Sequence, residues 1–139
     1  MVVALTTSDY TQIITAVIYA AALFYTILTF RRSKRLDQLT ITNEIFLEPR
    51  NLDRELAKIP QEDQYEDARS QTYSRIFTTL DYLSFLINQK VVDDRRLIDY
   101  MKVDIIRYYE DAFLKHASID ERDPNSYQQF KKLYLKVKK

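Results

Sequence analysis

Not one glycine occurs in these 139 residues, nor a cysteine or a tryptophan; proline occurs three times and histidine once. At an average usage of about 7%, a chain of this length carries roughly ten glycines. Glycine is the usual supplier of positive φ and of close backbone approach to a ligand. Dinucleotide fingerprints, Walker loops and nucleophile elbows all need it, so those motifs are excluded. Tight two-residue hairpins lose their preferred residues as well, which argues against a β-rich fold. Without cysteine there are no disulfides, thiolate metal sites or iron–sulfur clusters. The turns then fall to Asn, Asp and Pro, and the remaining composition points to helices.

Charge is present but unevenly placed. The net value of +1 arises from an acidic body between two basic blocks. Met1 to Phe30 carries Asp9 alone, and Arg31, Arg32, Lys34 and Arg35 follow at once. From Leu36 to Phe130 there are 19 acids and 12 bases, and Lys131, Lys132, Lys136, Lys138 and Lys139 close the chain.

Between Asp9 and Arg31 lie 21 uncharged residues, Tyr10 to Phe30, rich in Ile, Val, Leu and Phe. As a helix they reach about 31 Å, close to the hydrocarbon thickness of a bilayer. A transmembrane helix over residues 10–30 is the expectation, with the lipid bilayer as its partner. The alternatives are a cleaved signal peptide, which lacks its basic leader because residues 1–8 are uncharged, and a buried core helix, which seldom stays uncharged for so long. Arg31, Arg32, Lys34 and Arg35 set the topology and contact lipid headgroups. Positive residues stay on the cytoplasmic side, so the N-terminus, residues 1–9, is expected outside and the C-terminal domain inside. Ala16 and Ala20 form a small-xxx-small pair suited to packing against another transmembrane helix.

After the basic block, Leu36, Leu39, Asn43 and Phe46 continue a helical period, so residues 31–47 read as a basic stop and stalk ended by Pro49. Asn51 can cap a short helix bearing Leu52, Leu56 and Ile59, closed by Pro60. From about Glu62 to Gln89, Tyr73, Ile76, Phe77, Leu80, Leu83 and Ile87 make a stripe that Tyr82, Phe85 and Leu86 widen. Asn88, Gln89 and Lys90 make the turn, with Asn88 standing in for the missing C-terminal glycine. Asp93 or Asp94 caps the next helix, whose inward line reads Leu97, Met101, Ile105, Tyr108 and Ala112. Residues 118–125 read as a loop, and a last helix from about Pro124 to Val137 places Tyr127, Phe130, Leu133, Tyr134 and Val137 on one side. The fold class is all-α: one N-terminal transmembrane helix continuing into a stalk, then a small cytoplasmic helical bundle over residues 48–139, built on an antiparallel helix hairpin. No heptad run sets an oligomeric state.

Catalytic constellations are missing from the pattern. His116 has no cysteine near it and reads as a helix-terminal cation. Glu62, Asp63, Glu66 and Asp67 suit a helix N-terminus without any ligand. Asp93, Asp94, Asp99 and Asp104 interleave with Arg95, Arg96, Lys102 and Arg107 as an ion-paired, solvated face. No cofactor and no metal is expected, and the acidic body argues against nucleic acid. The remaining candidate is the segment Tyr127 to Lys139. With Tyr127 and Phe130 on its apolar side and Lys131, Lys132, Lys136, Lys138 and Lys139 on the other, it lies on anionic lipid, meets a partner, or packs on the bundle.

Leu80 to Phe85 (LDYLSF), a polar turn, Asp93 and Asp94, Tyr100 and the Tyr108–Tyr109 pair resemble the aromatic hairpin of a loose group of prokaryotic single-pass membrane proteins with a helical cytoplasmic domain. The expected function is an accessory or scaffolding subunit of a membrane complex, not an enzyme, acting through protein partners in the membrane. The competing readings are a membrane-tethered sensor or regulatory module binding a small ligand, and a hydrolase using carboxylates of the body.

Overall fold

The protein is described from a computed structural model over residues 7–139, so most of the expected extracytoplasmic N-terminus lies outside the described residues. The chain is all-helical: α1 (Thr7–Leu56), α2 (Glu66–Asn88), α3 (Arg95–Arg107), α4 (Leu114–His116), α5 (Ile119–Arg122) and α6 (Gln128–Lys138). It divides into two compact units, Met1–Asp37 and Gln38–Lys139, with the boundary inside α1.

In the first unit every residue from Tyr10 to Phe30 is exposed. The hydroxyls of Thr15, Thr26 and Thr29 each donate to the carbonyl four residues earlier, at 2.8–2.9 Å. That bond satisfies a hydroxyl within its own helix, and Thr72, Thr78 and Thr79 of α2 make it as well. The α1 helix is long and apolar enough to cross a membrane.

Pro49 does not end α1. The helix carries it inside and runs on to Leu56, so the separate helix starting at Asn51 is not formed. An interior proline costs about 3 kcal/mol. Burial of Phe46, Pro49 and Leu52 on one side of the helix offsets that cost. The inward line here is Gln38, Thr42, Phe46, Pro49 and Leu52, whereas Leu36 and Leu39 stay exposed. A polar residue thus occupies two inner positions, and Gln38 has a use for its amide described below. The Thr42 hydroxyl is buried without a hydrogen-bond partner.

The inward faces of α2 and α3 form as their periodicity predicts, with Ile76, Phe77, Leu80, Leu83, Ile87, Met101 and Ile105 in the core, but the two helices joined by the turn do not pack as a hairpin: α2 packs chiefly on α6, which also meets α3. Tyr82 and Phe85 remain exposed, so the buried stripe on α2 is narrower than expected. At the turn, Val91 N–H donates to Leu86 O and Lys90 N–H to Ile87 O, at 2.9 and 3.1 Å. These are the two bonds of a Schellman motif, which needs a left-handed residue at the first position past the helix. Lys90 occupies it with φ 59°, while Asn88 stays helical and donates to Gln129 instead. Asp94 is the residue that caps α3, accepting from the backbone N–H groups of Arg96 and Leu97.

Beyond Arg107 the chain winds as a π-helix from Tyr108 to Phe113. A π-turn aligns residues five apart, which brings both Tyr108 and Phe113 inward where an α-helix would part them. The Phe113 ring joins Phe77, Tyr109, Tyr127 and Phe130 in an aromatic cluster, with Tyr109 stacked on Tyr134 at 3.9 Å, while the Tyr108 ring meets Phe46 edge-on. The segment expected to be loop contains a helical turn, α5. Ser118 and Glu121 cap it reciprocally, and Glu121 also accepts from the hydroxyls of Ser74 and Tyr127. The last helix starts at Gln128, later than expected, because Tyr127 turns left-handed with φ 50°. The carboxylate of Asp81 caps it by accepting from Phe130 N–H at 2.8 Å.

Candidate functional site

Gln38 of α1 fastens the turn that joins α2 to α3. Gln38, 5% exposed, donates from Nε2 to the Val91 carbonyl and to Asp93 Oδ1, at 3.1 and 2.8 Å. Its Oε1 accepts from the backbone N–H groups of Asp93 and Asp94, at 3.3 and 3.1 Å. A glutamine amide offers two donors and one oxygen acceptor with two lone pairs, and all are used.

Next to this clamp a cleft of about 730 Å³ opens between the turn, α3 and the end of α6. Its floor is apolar, with Ile87, Val92 and Val137 buried beneath it. Its cations are Lys90, Arg95, Lys102, Lys136 and Lys139, and it also holds the carboxylates of Asp93 and Asp99. None of the five cations makes an ion pair among the described residues. The face expected to be ion-paired throughout is therefore paired around Asp104, which meets Arg50 at 3.3 Å and Arg107 at 3.4 Å, and not at Arg95 or Lys102.

The structure separates the C-terminal candidates into different roles. Phe130 is fully buried and Tyr127 half-buried against Phe77 and Phe113, so neither is presented at the surface for lipid or a partner. Apolar burial in the bundle claims this side of α6, which is the packing alternative of the sequence reading. The Lys131 ammonium donates to the carbonyls of Asp123 and Ser126, closing the 118–126 segment. Lys138 meets Glu110 at 2.7 Å beside the Tyr134 hydroxyl. Hydrogen bonds from Lys138 and Tyr134 hold the Glu110 carboxyl below its ordinary range, and the same contacts raise the Lys138 ammonium. Lys132 is exposed. Only Lys136 and Lys139 reach the cleft.

Arg31, Arg32, Lys34 and Arg35 lie exposed on α1, as do Ala16 and Ala20. His116 stacks on Tyr73 with ring centres 4.3 Å apart. Burial, then the nearby charges of Lys115 and Arg69, push the imidazole below its ordinary value. His116 ends α4, as its position suggests, and its ring stacks on Tyr73 besides. A smaller cleft of about 310 Å³ lies there between Gln61, Arg69, Tyr73 and His116. Among the described residues no three His, Asp or Glu side chains are grouped to hold a metal ion.

Sequence reasoning missed Lys90, Arg95 and Lys102 because charges interleaved along a helix look solvated, and only the folded turn and α6 bring them together. The one signal available was a lysine in a turn that lacks glycine. No curated protein and no solved structure matches the chain. Residues 11–137 match the family described as Domain of unknown function (DUF4760). That stretch takes in the apolar segment, the Gln38 clamp and most of the cleft, and a match over so much of its length makes the chain a member of the DUF4760 family.

Proposed function

We propose that this protein is a single-pass membrane protein with its N-terminus outside and its helical body in the cytoplasm, acting through protein contacts as an accessory or scaffolding subunit of a membrane complex. The observation that carries the reading is the uncovered apolar length of α1: 21 uncharged residues, all exposed. Exposed apolar surface on that scale is unfavourable in water at roughly 25 cal/mol per Å², and lipid removes the cost. Arg31, Arg32, Lys34 and Arg35 follow the segment directly and support the inward orientation of the body. Tyr100 and Val103, each 72% exposed on α3, support a protein contact, since aromatic residues are enriched at interfaces.

Two experiments test it. With no native cysteine, Ala4→Cys and Asp120→Cys each provide a single label, and the two react from opposite sides of sealed membranes. Labelling of both from one side overturns the topology. Cross-linking of the full chain in its native membrane, followed by mild-detergent purification, yields a higher-mass adduct, and Tyr100→Asp with Val103→Asp reduces it. A strictly monomeric, partner-free protein overturns the interaction role.

A further inference from the structure

The cationic cleft has three properties that the bundle's stability does not require. First, five positive side chains from three separate segments meet around one opening, and none of them is ion-paired among the described residues. Among the described residues that line the cleft, Asp93 and Asp99 oppose them, and the Asp93 carboxylate already accepts from Gln38. Like charges gathered over low-dielectric walls focus a positive potential that attracts anions.

Second, one of these cations sits where the backbone least favours it. Lys90 holds the left-handed position of a Schellman motif, where glycine or asparagine is usual and a lysine is strained. Strain of this kind concentrates where a side chain is needed for more than the fold. The Lys90 side chain lines the cleft.

Third, the cleft joins cations to an apolar floor of Ile87, Val92 and Val137. Its volume lies within the range of about 300–1,000 Å³ typical of small-molecule sites. Such a lining suits a phosphate ester with an apolar part better than a bare ion. Gln38, which fastens the rim of the cleft, lies only eight residues along the chain from Phe30, the end of the uncharged segment.

We propose that this cleft holds the phosphate group of an anionic ligand, with Lys90, Arg95, Lys102, Lys136 and Lys139 as its cation ring. Two sources present that chemistry: the headgroup of an anionic phospholipid and a free phosphate in the aqueous phase. Lipid contact by the C-terminal lysines is thereby relocated from the side of α6 to the cleft at its end.

The test is calorimetric titration of the full chain in a neutral detergent with dioctanoyl phosphatidylglycerol, dioctanoyl phosphatidylcholine and inorganic phosphate. Saturable binding of phosphatidylglycerol is expected, weakened by roughly fivefold for each cation removed in Lys90→Asn, Lys102→Gln and Lys136→Gln. A control carrying Lys58→Gln and Lys115→Gln, outside the cleft, binds as the parent does. Near-UV circular dichroism of each variant confirms the fold, and Lys90→Asn keeps a residue that tolerates the left-handed turn. Binding of phosphatidylglycerol without inorganic phosphate supports the lipid source. Binding of inorganic phosphate with equal affinity supports the soluble one. Absence of saturable binding by both, equal binding of phosphatidylcholine, or equal weakening by the control pair overturns the proposal.

Discussion

Gln38 and Asp93 exchange two hydrogen bonds across 55 residues of sequence, the amide Nε2 donating to Oδ1 at 2.8 Å and Oε1 accepting from the backbone N–H at 3.3 Å. With Val91 and Asp94 also held, replacing this side chain by an apolar one strands several polar groups at the turn. Gln38→Leu is expected to lower stability by about 2–4 kcal/mol. One turn along the same helix, Thr42 buries a hydroxyl with no partner, so the isosteric Thr42→Val is expected to raise stability by about 1 kcal/mol. Urea titration of the full chain in mild detergent, followed by near-UV circular dichroism, checks both. Equal signs for the two substitutions refute the assignment.

The same substitution has opposite effects at the two left-handed residues. Lys90→Gly relieves backbone strain and is expected to stabilise by about 0.5–1 kcal/mol. Tyr127→Gly relieves the same strain but removes a ring packed on Phe77 and Phe113, with an expected loss of about 2–4 kcal/mol. Thermal unfolding of the two variants beside the parent decides the matter, and stabilisation by both disproves the packing role of Tyr127.

Alkaline pH acts on Tyr108. Burial, followed by the charge of Asp53 and the hydrogen bond to it at 3.0 Å, raises the phenol well above its ordinary value of 10. A group with a raised folded pKa contributes stability that is complete below its unfolded pKa and is lost as pH climbs beyond it. Stability should therefore hold to about pH 10 and fall above it. Tyr108→Phe is expected to cost about 1 kcal/mol at pH 8 through the lost bond to Asp53, and to flatten the alkaline decline. An unchanged slope between pH 10 and 11.5 contradicts the prediction.

Packing of α6 is tested by two apolar truncations five residues apart. Phe130→Ala removes a fully buried ring and is expected to cost about 3–5 kcal/mol. Leu135, 63% exposed, should tolerate alanine within about 0.5 kcal/mol. Comparable losses at both positions would mean that α6 rests on something other than the bundle.

The helical class and the buried faces of α2, α3 and α6 were legible because apolar spacing reports a helix's inner side directly, whereas the choice of α6 rather than α3 as the partner of α2 was not, since spacing does not say which face meets which. Pro49 misled because a local rule about backbone donors was outweighed by burial of Phe46 and Leu52 on either side of it. The π-turn at Tyr108 was invisible, since it answers to ring packing against elements up to 62 residues away in sequence, as in the Phe46–Tyr108 contact. Glycine's absence argued against phosphate loops built on bare backbone. It also led to the expectation that Asn would take the left-handed turn, whereas Lys and Tyr take those conformations. The cleft was the least legible feature, because its five cations lie in three segments that become neighbours only through the fold.

Three of the bonds that fasten α1 into the body reach far along the chain: Gln38 to Asp93, Arg50 to Asp104, Asp53 to Tyr108. Each joins residues 54 or 55 positions apart, roughly 3–11 s of synthesis at about 5–20 residues per second. Through that interval α1 exists without the partners that bury Phe46 and Leu52. Synthesis thus imposes an order of events, with the apolar segment leaving the ribosome before the bundle can close on Gln38 to Leu56. A chain halted between Leu56 and Phe113 would carry its whole apolar segment yet lack a finished core.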